Sequence, residues 1–161
     1  MPCIPPPQPQ IEATIMVGPA PDYALKFVPD PDDGSAKYID GDGNLDFSSF
    51  TCEINVRFRI ATKGIVFYHG FGKDSISYAE SLDPTELKQP VGDGHHQFRK
   101  GVNHPNPQTL VFEYHNDCGR HGDRPCPSSR YGLYLGYSGG FLKHHDPIIN
   151  NGGHQQMSVA P

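Results

Sequence analysis

Tryptophan is absent from the 161 residues, so any stacking on sugar rings falls to the eight Tyr and nine Phe, which weakens a carbohydrate-binding reading. There is no run of eighteen apolar residues, which excludes a membrane-spanning helix. The start, "MPCIPPPQPQ", lacks the charged head and apolar centre of a secretory signal, and the expected location is therefore cytoplasmic. Clustered Lys and Arg are missing as well. With a formal net charge of −5, the chain is not expected to grip nucleic-acid phosphates. Finally, no G-x-S-x-G, H-E-x-x-H, P-loop or helix-opening G-x-G-x-x-G occurs, so no residue is nominated as catalytic and the reading leans away from an enzyme.

A chain of this length fits one domain burying roughly 70% of its unfolded surface. Hydrophobic residues make up 35%, which implies a modest core, and 18 Gly with 17 Pro imply many turns without reaching low-complexity composition. Charge is concentrated. Between Asp22 and Asp46 lie seven Asp, no Glu and only Lys26 and Lys37, so this segment carries the whole net charge of −5.

Hydrophobic alternation of period two dominates. In "CEINVRFRI", Cys52, Ile54, Val56, Phe58 and Ile60 share one face, with Glu53, Asn55, Arg57 and Arg59 on the other. That is the pattern of a half-buried strand. Similar alternation places Ile11, Ala13, Ile15 and Val17 together, then Tyr23, Leu25 and Phe27, then Leu110, Phe112 and Tyr114, then Tyr131, Leu133, Leu135 and Tyr137. "GIVFYHG" is apolar on both faces and predicts a central strand covered on both sides. Breakers such as Pro29-Asp30-Pro31, Lys63-Gly64 and Ser138-Gly139-Gly140 separate these runs. Helix is confined to a turn or two at "DPTELK", with Asp83 as N-cap, Pro84 at the first helical position and Glu86 as capping-box acid. The expected fold is all-β: a single antiparallel β-sandwich of seven to nine strands over residues 10–161, immunoglobulin-like in the broad sense, preceded by a disordered Pro-rich arm at 1–9.

Two stretches carry metal-binding chemistry. "YIDGDGNLD" alternates Asp40, Asp42, Asn44 and Asp46 around Gly41 and Gly43. An EF-hand needs oxygen ligands at positions 1, 3, 5, 7, 9 and 12 and a glycine at 6. Counting from Asp40 puts Leu45 at the glycine position, whereas counting from Tyr38 keeps Gly43 in place but puts Tyr38 and Ser49 at the two anchors. The expectation is a turn between strands with at most weak calcium affinity, since Asp-Gly and Gly-Asn steps are themselves turn formers. The second stretch, "HNDCGRHGDRPC", spaces His115, Cys118, His121 and Cys126 as potential zinc ligands. A loop with free thiols and a Cys118–Cys126 disulfide are the competing readings. Blue copper is disfavoured because Met157 lies far down the chain. The adjacent pairs His95-His96 and His144-His145 are expected on solvated loops.

The segments "DGNLDFSSF" and "TCEINVRFRIA", the late "HHDPIINNGG", and the dipeptides Asp83-Pro84 and Asp146-Pro147 resemble small bacterial β-sandwich proteins of the DP-EP family, although Glu-Pro does not occur here. The resemblance implies a sandwich fold and supplies no catalytic residues. Three functional readings follow. One is a non-catalytic binding or assembly module, with homo-oligomerisation through an edge strand or through the sheet face bearing Tyr134. The second is a metal-binding protein using either stretch above, and the third is a carbohydrate-binding module, which requires an exposed aromatic platform. No other cofactor is expected.

Overall fold

A computed structural model describes residues 10–32, 34–50, 53–68, 75–79, 81–87, 98, 102–115, 128–137 and 140–151. The expected arm at 1–9 and most of the His/Cys stretch lie outside these residues. Among those described, the strands are β1 (Gln10–Val17), β2 (Leu25–Pro29), β3 (Leu45–Asp46), β4 (Ile54–Ile60), β5 (Val66–Phe67), β6 (Ile76–Ala79), β7 (Val102–Asn106), β8 (Thr109–Tyr114), β9 (Ser129–Tyr137), β10 (Gly140–His145) and β11 (Ile148–Asn150). Among the described residues helical structure is limited to two single 3₁₀ turns, at Ser35–Lys37 and Pro84–Glu86. Asp83 caps the second, its carboxylate accepting from the Thr85 amide at 2.9 Å. Among the described residues no helix is long and apolar enough to cross a membrane.

The strands form two sheets. The first has the order β2-β1-β4-β8-β7. The second is built on β9, whose one edge takes β5 and β6 end to end while the other takes β10 and β11, with β3 beyond β11. Both sheets are mixed. The expectation of purely antiparallel pairing is corrected by two parallel ladders, β1 with β4 and β3 with β11. Period-two patterning specifies which face of a strand is apolar but not the direction of its neighbour, so the parallel ladders left no trace in it.

Inward residues of both sheets merge into one cluster. Ile11, Ala13 and Ile15 of β1, Ile54, Val56, Phe58 and Ile60 of β4, and Leu110, Phe112 and Tyr114 of β8 face it from the first sheet, while Tyr131, Leu133 and Leu135 face it from β9. The Phe58 and Tyr131 rings lie nearly parallel across the interface, with centroids 6.2 Å apart. Phe27 and Phe112 meet Phe58 edge-on.

Two strand assignments are corrected. "GIVFYHG" contributes only the two-residue β5, in which Phe67 is buried and Val66 half-buried. β9 is covered on both faces, with every residue from Tyr131 to Gly136 buried and Tyr137 exposed at its end, and the short β6 is buried throughout as well. The outward positions of β9 read Gly132, Tyr134 and Gly136, small or amphipathic residues that do not register as apolar.

Phe58→Ala should lower stability by about 3–5 kcal/mol, because it removes a fully buried ring that three other rings touch and leaves a cavity. Arg57→Ala on the exposed face of the same strand should stay within about 0.5 kcal/mol. Chemical denaturation of both variants is the check, and similar losses would contradict the assignment of faces.

Candidate functional site

The acidic stretch is held by its own side chains. The Asp40 Oδ1 accepts from the amides of Asp42 and Asn44, each at 2.9 Å, and Oδ2 accepts from the Asn44 side chain at 3.0 Å. Burial pushes the Asp40 carboxyl up most strongly, but the combined hydrogen bonds from Asn44, Asp42 and Gly43 outweigh it and hold the group below its ordinary value. Asp46 accepts from the amide and hydroxyl of Ser48 at 3.0 and 2.6 Å, and Asn44 Oδ1 takes the Ile148 amide at 2.9 Å. Asp42 is exposed, and its carbonyl accepts from Nε2 of His145 at 2.7 Å. The loop therefore uses Asp40, Asn44 and Asp46 to tie its backbone together and to join β11.

Gly43 sits at φ +87°, and a Cβ there would stand 2.7 Å from the Phe27 ring. Its carbonyl accepts from the buried Tyr131 hydroxyl at 2.5 Å. Burial first, and the Asp40 charge second, push the Tyr131 phenol well up, so it stays a donor. The acidic turn is pinned onto the core at this point.

Of the His/Cys stretch, only His115 is described; Cys118, His121 and Cys126 lie outside. His115 follows β8 directly and is buried, with Nε2 3.1 Å from Glu113 and Nδ1 3.6 Å from Glu53. These carboxylates approach opposite nitrogens of one ring rather than converging on a common point. Among the described residues no group of three or more His, Cys, Asp or Glu side chains is arranged to hold a metal ion.

The sheet face bearing Tyr134, one of the two surfaces expected to serve assembly, is the outward face of the second sheet. The expected solvated loop at His144-His145 is instead part of β10, and both rings pack against aromatic neighbours. His145 stacks on Phe27 at 5.5 Å. His144 lies flat on Tyr134, centroids 4.4 Å apart and planes 9° from parallel, while remaining exposed to solvent. Glycine makes this possible: a Cβ on Gly132 would stand 2.5 Å from both His144 Nε2 and Ser77 Oγ, and one on Gly136 would stand 2.9 Å from the Tyr68 ring. Ser77 shares a hydrogen bond of 3.0 Å with the Tyr134 hydroxyl. Tyr68 meets Phe141 edge-on at 5.4 Å, and Phe141 is 40% exposed. The two glycines four residues apart on one face of "YGLYLGY" were the available signal, since a missing side chain on a strand marks where a ring can lie against the backbone. Desolvation holds the His144 imidazole below its ordinary value of 6.5, against an upward pull from Asp146 and with a further lowering by His145. The shift favours the neutral form of the ring.

The chain matches no family model, no curated protein and no solved structure.

Gly43→Ala should destabilise by roughly 1–3 kcal/mol through overpacking against Phe27, with the strain of a positive φ in addition. Gly41→Ala, where nothing stands within 4 Å of the new carbon, should be close to neutral. Thermal denaturation of the pair tests whether the turn is pinned. Calcium titrated into the protein by calorimetry should bind no more tightly than ~10⁻⁴–10⁻³ M, the range of weak extracellular modules. A micromolar constant abolished by Asp42→Asn would mark a built site instead.

Proposed function

We propose that the chain is a non-catalytic β-sandwich module, immunoglobulin-like in the broad sense, that binds carbohydrate on the outward face of its second sheet. The observation that carries this reading is the His144 ring lying flat on Tyr134 and exposed to solvent. A pyranose presents a flat array of C–H groups, and these seat on the face of an aromatic ring laid parallel to a surface. Phe141, exposed beside Tyr68, offers a second apolar contact on the same face. The exposed part of this platform offers no fixed charge: Phe141 is apolar, and the His144 imidazole, laid over the buried Tyr134, is held below its ordinary value by desolvation. Nearby Arg130 is engaged with the Leu82 carbonyl at 2.7 Å and with Asp146 at 3.8 Å. An uncharged platform suits a neutral polyol better than an ionic ligand.

The absence of Trp removes the largest stacking surface, and the stacked His–Tyr pair takes that place. A sandwich without catalytic residues is also what the resemblance to the DP-EP family implies. An assembly role, with the same platform covered by a second copy, predicts a dimer instead of a sugar complex.

Affinity electrophoresis through gels containing laminarin, xylan or galactomannan is the test. Retardation by at least one polymer should be lost in Phe141→Ala and in His144→Ala. Retardation should weaken as pH falls below 6.5 toward the lowered His144 value, because protonation puts a charge on the stacking ring. Unchanged mobility in all three gels, together with a dimer on gel filtration that Phe141→Ala dissociates, would favour assembly.

A further inference from the structure

The outward face of the first sheet holds a cleft of about 340 Å³, lined by Glu12, Thr14, Val28, Asp30, Arg57 and Arg59 together with Pro29 and Pro31. Its place follows from the register. Thr14 pairs with Val28 on one side and Arg59 on the other, and Glu12 pairs with Arg57, so two adjacent rows of outward residues cross β2, β1 and β4. The Asp30 amide extends the second row by donating to the Glu12 carbonyl at 2.9 Å.

Arg57 and Arg59 stand two residues apart on β4, which spaces their Cα atoms by about 7 Å on one face. Both are exposed. Among the described residues neither guanidinium is in an ion pair, although Glu12 stands directly opposite Arg57 in the ladder. The contact from Arg59 Nη2 to the Thr14 hydroxyl, at 3.5 Å, is long for a hydrogen bond. Two planar donor forks thus project from one face of β4, Arg59 beside the Thr14 hydroxyl, and Val28, Pro29 and Pro31 add an apolar side to the same cleft. Proline fixes its own φ, so that side is stiff.

We propose that this cleft binds a small carboxylate-bearing ligand, its carboxylate gripped in bidentate fashion by Arg57 and Arg59 and its apolar body against Val28 and the prolines. Guanidinium forks match the two oxygens of a carboxylate in plane and spacing. Glu12, directly opposite Arg57, and Asp30 beyond it in the same row disfavour a multiply charged anion and suit a ligand whose other end is neutral or cationic. The site lies on a different sheet from the aromatic platform and stands independently of the carbohydrate reading.

The test follows the Arg Nε–Hε signals of the full chain by NMR during titration with sodium succinate, with triglycine bearing a free C-terminus, with C-terminally amidated triglycine, and with inorganic phosphate. The signals of both arginines should shift in a saturable manner with a free carboxylate. Succinate alone acting would identify a small acid, and triglycine alone a peptide terminus. Arg59→Ala should abolish saturation, and Arg57→Lys should weaken it roughly tenfold, because an ammonium cannot make the paired contact. Because both side chains are exposed, unchanged amide spectra should accompany these losses. The proposal is overturned if neither arginine responds saturably, if amidated triglycine acts as well as the free acid, or if phosphate binds more tightly than either carboxylate.

Discussion

A buried phenol must place its hydroxyl, and this core contains enough tyrosine for that requirement to organise it. Tyr78, Tyr114, Asn151 and Ser129 form a closed ring of hydrogen bonds, with contacts of 2.9, 2.7, 2.7 and 2.8 Å in that order round the circuit. The Tyr114 hydroxyl donates to Asn151 Oδ1, so Tyr78 must donate to Tyr114 and Ser129 to Tyr78, while the Asn151 Nδ2 donates to the Ser129 hydroxyl oxygen. Every hydroxyl in the circuit both gives and receives one bond. The ring joins β6, β8, β9 and the residue that follows β11, and so cross-links the two sheets through polar groups inside an otherwise apolar cluster. Rotating any one member breaks two bonds, and a partly satisfied buried network is worse than none.

The same requirement acts at Tyr131, whose hydroxyl finds the Gly43 carbonyl. That bond places the acidic turn against the core and orients it so that Asn44 meets Ile148 and the Asp42 carbonyl meets His145. The turn in turn helps fix the strands that carry His144 and Asp146. Metal-like alternation of acids thus serves local geometry: the oxygens of Asp40 and Asp46 answer backbone amides within two to four residues, a use of Asp and Asn that competes with coordination for the same lone pairs.

Legibility differed from strand to strand for physical reasons. β1, β4 and the inward residues of β8 could be read from alternation, because one face meets the core and the other meets water. In β9 the same alternation marked the inward Tyr131, Leu133 and Leu135, but not that the strand is flanked on both edges and covered on both faces, because its outward positions are filled by two glycines and a tyrosine. β6 was missed for the same reason: Ser77 is fully buried yet polar, and its burial depends on Tyr134 and His144, which are distant in sequence. Likewise Glu113 and His115 are buried on the outward side of the first sheet, a position that alternation assigns to solvent.

By itself the sequence determined that this is an all-β chain with little helix, which residues of β4 face inward, and that the acidic stretch turns rather than continuing a strand. Those properties depend on neighbours two to four residues apart, where side-chain period and glycine conformation act directly. Only the tertiary structure decided that two ladders run parallel, that His144 lies on Tyr134 over Gly132, and that Arg57 and Arg59 share a cleft with Val28. Each of these depends on which strand lies beside which, a choice made by packing and hydrogen-bond closure across the whole core and not by any local run of residues.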